Sequence, residues 1–164
     1  MAPPILTDEL IALHPMRMEH AAGYSAVLSD PGSHHFLTDS GPVDLTAARI
    51  KIEANHRKME AGQAIYWSIL NQANEFLGFV ALHQPMQPKA FMSYGIHPDA
   101  RRKGFASRAV SLVWEWEGLK GKSIEMATHL DNEVSFAFLS KLAVEYKGIQ
   151  QTDFGERHVF VKET

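Results

Sequence analysis

The stretch Ser93-Tyr94-Gly95-Ile96-His97-Pro98-Asp99-Ala100-Arg101-Arg102-Lys103-Gly104-Phe105-Ala106-Ser107-Arg108 joins an extended apolar segment to a helix through a proline and a basic turn. Pro98 disfavours helical backbone at His97 and so closes the extended segment. Beyond the turn, Ala106, Ala109, Val110 and Val113 recur at the three-and-four spacing of a helix that faces a core. Gly104 lets a ligand approach the backbone, and the first amides of the helix lack intrahelical partners. Arg101, Arg102, Lys103 and Arg108 add positive charge. Together these features describe a loop suited to an anion.

Working outward, residues 5–13 carry apolar residues at Ile5, Leu6, Leu10, Ile11 and Leu13, which predicts a strand or hairpin broken near Thr7-Asp8 and ended by Pro15. Residues 18–28 predict a short helix closed by the turn types Asp30-Pro31-Gly32. Residues 33–43 are irregular and predict a surface loop. Asp44 is the N-cap of a second helix running to Glu60, with Gly62 as its stop. Residues 64–70 and 76–83, separated by Asn71-Gln72-Ala73-Asn74, predict an antiparallel hairpin. A strand over 91–97, a long helix over 103–119 and a strand over 123–130 follow. Such a unit implies parallel strands joined by a right-handed crossover. Asn132 caps a helix to about Val144, and strands over 146–149 and 157–162 finish the chain.

The chain of 164 residues is 45% hydrophobic, which suits a single domain over residues 1–164 with a sizeable core. No apolar run is long enough to cross a bilayer, and the N-terminal residues lack signal-peptide character, so a cytoplasmic location without membrane partnership is expected. A net charge of −3 argues against a nucleic-acid partner and makes any anion affinity local. With no cysteine, disulfides and thiolate catalysis are excluded. The nine histidines show no metal-ligand spacing, so no metal site is expected.

Gly95 and Gly104 are too far apart for a dinucleotide fingerprint, and no Gly-Lys-Ser or Gly-Lys-Thr occurs for a P-loop. What remains, Arg101-x-x-Gly104-x-Ala106 after Ile96-His97-Pro98, resembles the pyrophosphate signature of the GNAT N-acetyltransferase superfamily. A second segment, Asn132-Glu133-Val134-Ser135 to Lys141-Leu142, is similar to that family's Asn-x-x-Ser helix and its Lys-Leu ending. The element order resembles the superfamily over nearly the whole chain. The Asn-x-x-Ser helix and the Leu139-x-Lys141 ending look most like the group that acetylates N-terminal amines of ribosomal proteins.

The resemblance implies an α/β (α+β) three-layer fold: a mixed, mostly antiparallel sheet of about six to seven strands, about four flanking helices, and a splay between two central parallel strands. It implies direct attack of an amine on acetyl coenzyme A. The diphosphate would be held by the backbone at Arg101, Arg102, Lys103, Gly104, Phe105, Ala106 and Ser107, the helix dipole adding about 0.3–1 kcal/mol. Ile96 would pair with the pantetheine arm like an added strand, Tyr94 would polarise the thioester oxygen through its amide, and Asn132 and Lys141 complete the cofactor set. Ser135 is placed near the coenzyme sulfur. For the base, His83, His97 and His129 end predicted strands, and histidine titrates near the working pH. The chain departs from the family at Ala143-Val144, where Gly-Phe is usual, at Leu139, where many members carry a tyrosine acid, and at Phe91, near a glutamate of some ribosomal-group members. The expected partner is an amine acceptor, a protein N-terminus ahead of an amino acid, polyamine or drug amine, with a non-catalytic acyl-coenzyme-A sensor as the rival class. A monomer or a homodimer fits equally.

Overall fold

The computed structural model describes residues 2–32, 36 and 41–164. Among them the chain forms β1 (Leu6–Thr7), β2 (Ile11–Pro15), α1 (Ala21–Leu28), α2 (Leu45–Glu60), β3 (Ala64–Asn71), β4 (Phe76–His83), β5 (Lys89–Ile96), α3 (Phe105–Trp114), β6 (Ser123–His129), α4 (Glu133–Ser140), β7 (Glu145–Thr152) and β8 (Gly155–Glu163). The strands form one sheet in the order β1-β2-β3-β4-β5-β6-β8-β7. Every neighbouring pair is antiparallel except β5 and β6. This is the expected mixed sheet, with eight strands rather than six to seven. Most of the irregular stretch over 33–43, including His34-His35, lies outside the described residues.

The sheet is buried on both faces, which is why β3 and β4 read as continuous apolar runs rather than alternating ones. Leu13, Trp67, Leu82, Met92, Val110 and Leu139 belong to a core beneath α3 and α4. Tyr24, Val27, Ile52, Tyr66, Phe79 and Ala81 form the core beneath α1 and α2. Each large apolar side chain so buried contributes roughly 1.5–3 kcal/mol. The start of α2 is tied to α1 at Val43, whose carbonyl accepts from Ser25 Oγ at 2.7 Å and whose amide donates to Ser29 Oγ at 2.9 Å. Asp44 caps α2 as expected, its carboxylate accepting from the Ala47 amide at 2.8 Å.

The parallel pairing of β5 with β6 is short. Lys89, Ala90 and Phe91 face Ser123, Ile124 and Glu125, and there the register stops. β5 continues along β4 to Ile96, while β6 continues along β8 to His129, so the two central strands diverge. Gly78 on β4 allows a close approach of β5: a Cβ there would overlap the Gly95 carbonyl oxygen. That close approach holds the end of β5 against β4. No helix among the described residues is long and apolar enough to cross a membrane.

Two elements depart from the sequence reading. The long helix expected to Leu119 stops at Trp114, and a short 3-10 turn occupies Glu117–Leu119. Trp116 takes an extended backbone so that its ring can pack edge-on against Trp67 at 5.9 Å, and Gly118 leaves room for that ring. The helix expected to Val144 ends at Ser140, whose hydroxyl donates to the Phe136 carbonyl at 2.7 Å.

His20 is 9% exposed, and its Nδ1 accepts the Arg17 amide at 3.1 Å and lies 2.8 Å from Ser68 Oγ. Burial chiefly holds its imidazole below the usual value, opposed by Glu19. The unfolded chain therefore takes up the proton first as pH falls. Stability is full above about pH 6.5 and declines below it towards the lowered native value. Denaturant unfolding between about pH 7 and pH 5 should show a falling midpoint. His20→Gln should be less stable at neutral pH yet flatter across that window.

Candidate active site

The diverging ends of β5 and β6 open a cleft of about 1220 Å³, closed at one end by the loop before α3 and along one side by α4. Of the expected cofactor residues, Tyr94, Ile96, Arg101, Arg102, Gly104, Phe105, Ala106, Ser107, Asn132 and Lys141 line it, as do Ser135 and His129. Lys103 and His83 do not. Lys103 Nζ turns back to the Asp99 carbonyl at 3.3 Å.

The loop is shaped by backbone conformation. Arg102 and Gly104 have φ of 62° and 81°, both left-handed, and Gly104 is the N-cap of α3. Alternating backbone of this kind turns successive amides into one concavity. The first closed helical bond runs from the Arg108 amide to the Gly104 carbonyl, so the amides of Phe105, Ala106 and Ser107 have no partner of the helical kind. A Cβ on Gly104 would meet nothing within 4 Å. Open space, converging amides and the positive end of a helix dipole fit a diphosphate.

The basic side chains have other work. Arg101 pairs with Asp30 at 3.0 Å and donates from Nε to the Ile96 carbonyl at 3.2 Å. Arg108 reaches Asp8 at 2.9 Å and Glu9 at 3.1 Å, in the turn between β1 and β2. Only Arg102 of this group shows no such tie among the described residues.

Further along the cleft, Asn132 caps α4, its Oδ1 accepting from the Ser135 amide at 3.1 Å. The cap uses the oxygen and leaves Nδ2 as a donor for a ligand carbonyl. The Thr128 hydroxyl is buried with no hydrogen-bond partner among the described residues, on β6 where the strand lines the cleft. A buried hydroxyl without a partner costs about 1–3 kcal/mol, and a polar arm lying in the splay would satisfy it. Sequence reasoning missed Thr128. Its parity with Ile124 and Met126 on β6 was the available signal.

Tyr94 Oη lies 2.9 Å from Ser135 Oγ. Burial raises the Tyr94 phenol above its ordinary value, against the opposing effect of the Ser135 hydrogen bond, so the phenol stays protonated and either hydroxyl can donate to the other. A helical serine commonly turns its hydroxyl back to the preceding turn. Here the partner is a phenol, and when that phenol donates, the serine hydrogen is left to point into the cleft. Leu139, expected from the resemblance to stand where many members carry a tyrosine acid, is buried in the core. A phenol nevertheless reaches this region from β5.

The candidate histidines lie apart. His129 lines the cleft at the end of β6, and its Nδ1 accepts the Asp131 amide at 3.1 Å. His97 caps the turn at Pro98 in the same manner, accepting from the Asp99 amide at 3.1 Å. His83 sits at the end of β4 on the α1 and α2 face, edge-on to Tyr66 at 5.7 Å and with Nε2 3.3 Å from Ser93 Oγ. Burial, then the Lys58 charge, lowers its pKa.

A splayed parallel pair, a left-handed glycine loop at a helix start and a hydroxyl pair in the opening define an acyl-coenzyme-A transferase fold. The chain belongs to the GNAT acetyltransferase family, whose domain model matches residues 11–145. Acetyl coenzyme A is accordingly its cosubstrate. Solved structures share the fold at low identity. A RimL ribosomal L7/L12 alpha-N-protein acetyltransferase in complex with coenzyme A superposes with a TM-score of 0.81 at 15% identity, covering 98% of both chains. An acetyltransferase of Salmonella typhimurium that modifies the N-terminal serine of 50S ribosomal protein L7/L12 gives 0.81 at 13%, covering 98% of this chain and 99% of that one. RimJ of Mycobacterium smegmatis, bound to a coenzyme A disulfide, gives 0.79 at 17%, with 98% and 86% covered. No curated protein matches the chain by sequence.

Gly104→Val would place a β-branched residue in left-handed backbone, a strain of roughly 1–2 kcal/mol, and fill the open cradle. Calorimetry should show coenzyme A bound at least about tenfold more weakly with the fold retained.

Proposed function

We propose that residues 1–164 act as one transferase domain that acetylates the N-terminal amine of a protein. The Tyr94–Ser135 pair carries the catalytic half of this reading. It sets a directed hydroxyl in the opening between β5 and β6, above the loop that suits the diphosphate. Bound acetyl coenzyme A supplies an activated acyl group and a thiolate leaving group. The protein's residues do the rest. The amides of the α3 turn hold the diphosphate, Ile96 and Asn132 align the arm with Thr128 as a further partner, and Lys141 adds charge at the end of α4. Ser135 donates to the departing sulfur, held in position by Tyr94. Serine and tyrosine in this arrangement supply hydrogen bonds that strengthen as negative charge develops.

The acceptor reading rests on the likeness to enzymes that modify ribosomal-protein N-termini. It also rests on the chemistry of an α-amine, whose pKa near 7.7–8.0 leaves a usable neutral fraction at physiological pH. The ribosomal-protein substrates of those enzymes support a cytoplasmic location, and that is the location we propose.

The test is a panel of amines incubated with acetyl coenzyme A: peptides beginning with Ser, Ala or Met, together with free lysine and spermidine. Thiol release and product mass should show acetylation at a peptide N-terminus. Acetylation confined to the free amines would move the substrate class, and coenzyme binding without thiol release would indicate a sensor. Ser135→Ala should lower kcat by about 10²-fold, the lower range for a positioned proton donor, with coenzyme affinity within about twofold. Tyr94→Phe should give a smaller fall in the same parameter. Equal turnover in both variants would remove the pair from the reaction.

A further inference from the structure

An amine that attacks a thioester must shed a proton, and Ser135 stands at the other end of the reaction. The residue that receives this proton can be sought from hydrogen positions. A neutral imidazole has one lone pair. In His97 and His129 that lone pair, on Nδ1, accepts a backbone amide, from Asp99 and Asp131 respectively. Because an amide can only donate, the neutral ring must carry its own hydrogen on Nε2. Both rings can therefore donate from Nε2, but neither can accept a proton there.

His83 is arranged differently. Its Nε2 faces Ser93 Oγ at 3.3 Å, and a hydroxyl can donate to a lone pair. Ser93 lines the cleft and His83 lies behind it. Their side of the sheet also fits the task. A Cβ on Gly95 would lie 2.7 Å from Val27 and from Phe79, so odd-numbered residues of β5 face α1 and α2. Ser93 shares that face, whereas Tyr94 meets Ser135 on the α4 face. The sheet thus separates the two proton-handling groups, one on each side of the splay. Asp131 and Glu133 also line the cleft, but they lie at the start of α4, on the leaving-group side.

We propose that Ser93 and His83 form the relay that takes the proton from the attacking amine, Ser93 touching the amine and His83 acting through it. This rests on the acetyl-transfer reading above. As the nitrogen–carbon bond forms and the carbon–sulfur bond breaks, the amine gives a proton to Ser93 Oγ. Ser93 passes its own hydrogen to His83 Nε2, and the departing sulfur takes the Ser135 hydrogen bond. His83 then returns its proton to solvent while the departing thiolate gains one at the Ser135 side, so a neutral amine and the thioester give amide and thiol with no net change in protons. The groups facing His83 are Lys58 from α2 and Tyr66 from β3. The Tyr66 phenol is pushed up to about 12 by burial and stays neutral, while Lys58 disfavours a lasting charge on the imidazole.

The test uses the full chain, acetyl coenzyme A and the best amine of the panel. His83→Gln and Ser93→Ala should each lower kcat by about 10²-fold while coenzyme A binds within about twofold of the parent protein. The double variant should be no worse than about the poorer single one, as expected of groups acting in series. The part of the kcat profile that falls on the acid side of the imidazole range should vanish in His83→Gln. A second readout needs no turnover. Nitrogen spectra of the histidine-labelled protein, with the His83 signals identified by His83→Gln, should show Nε2 without hydrogen at neutral pH. Ser93→Ala should shift that titration. Turnover within about twofold of the parent in both variants, or a hydrogen on Nε2, would overturn the relay and leave acetyl transfer standing. A parent protein that binds coenzyme A but acetylates no amine would overturn both.

Discussion

Three residue pairs between β5 and β6 determine the rest of the molecule. Lys89, Ala90 and Phe91 meet Ser123, Ile124 and Glu125, clamped at the outset by the 2.8 Å ion pair of Lys89 with the nearly buried Glu125. A longer parallel pairing would close the sheet and leave no room for a ligand. A shorter one would split the sheet into two. Each strand instead keeps its other partner to the end, β4 for β5 and β8 for β6, so both sides of the opening remain fully hydrogen-bonded walls. The walls are rigid because their outer edges are paired.

Such an opening places different chemistry on the two faces of one sheet. Tyr94 and Ser93 are adjacent in sequence, yet strand alternation sends the first to Ser135 on α4 and the second to His83 on β4. The loop proposed for the diphosphate is separate again. It is the turn after β5, where left-handed backbone at Arg102 and Gly104 gathers the first amides of α3.

Much of this was legible in the sequence because its causes are local. Pro98, Gly104 and the spacing of Ala109, Val110 and Val113 dictate strand end, loop and helix within sixteen residues, and the structure follows them. Asp44 and Asn132 likewise cap the helices they precede. What could not be read depends on distant partners. The early end of α3 is set by Trp67, far back on β3. β7 extends through Gln150, Gln151 and Thr152 because β8 offers it a hydrogen-bonding edge, although its side chains are largely exposed and carry no apolar pattern. The Tyr94–Ser135 contact spans 41 residues, and nothing in either segment announces the other. Arg101 and Arg108 show the converse: positive residues beside an anion loop whose charges are taken by Asp30, Asp8 and Glu9.

The engagement of Arg101 with Asp30 and the Ile96 carbonyl bears on how this fold varies. A binding loop that depended on side-chain charge would have to keep each charge. In the proposed reading recognition is carried by main-chain groups, which every residue possesses, while Arg101 and Arg108 are held by Asp30, Asp8 and Glu9. Neighbouring positions can then change widely as long as the φ angles and these ion pairs are preserved. Chains that agree at only 13–17% of positions can in this way superpose with TM-scores near 0.8. What such chains hold in common is a backbone shape.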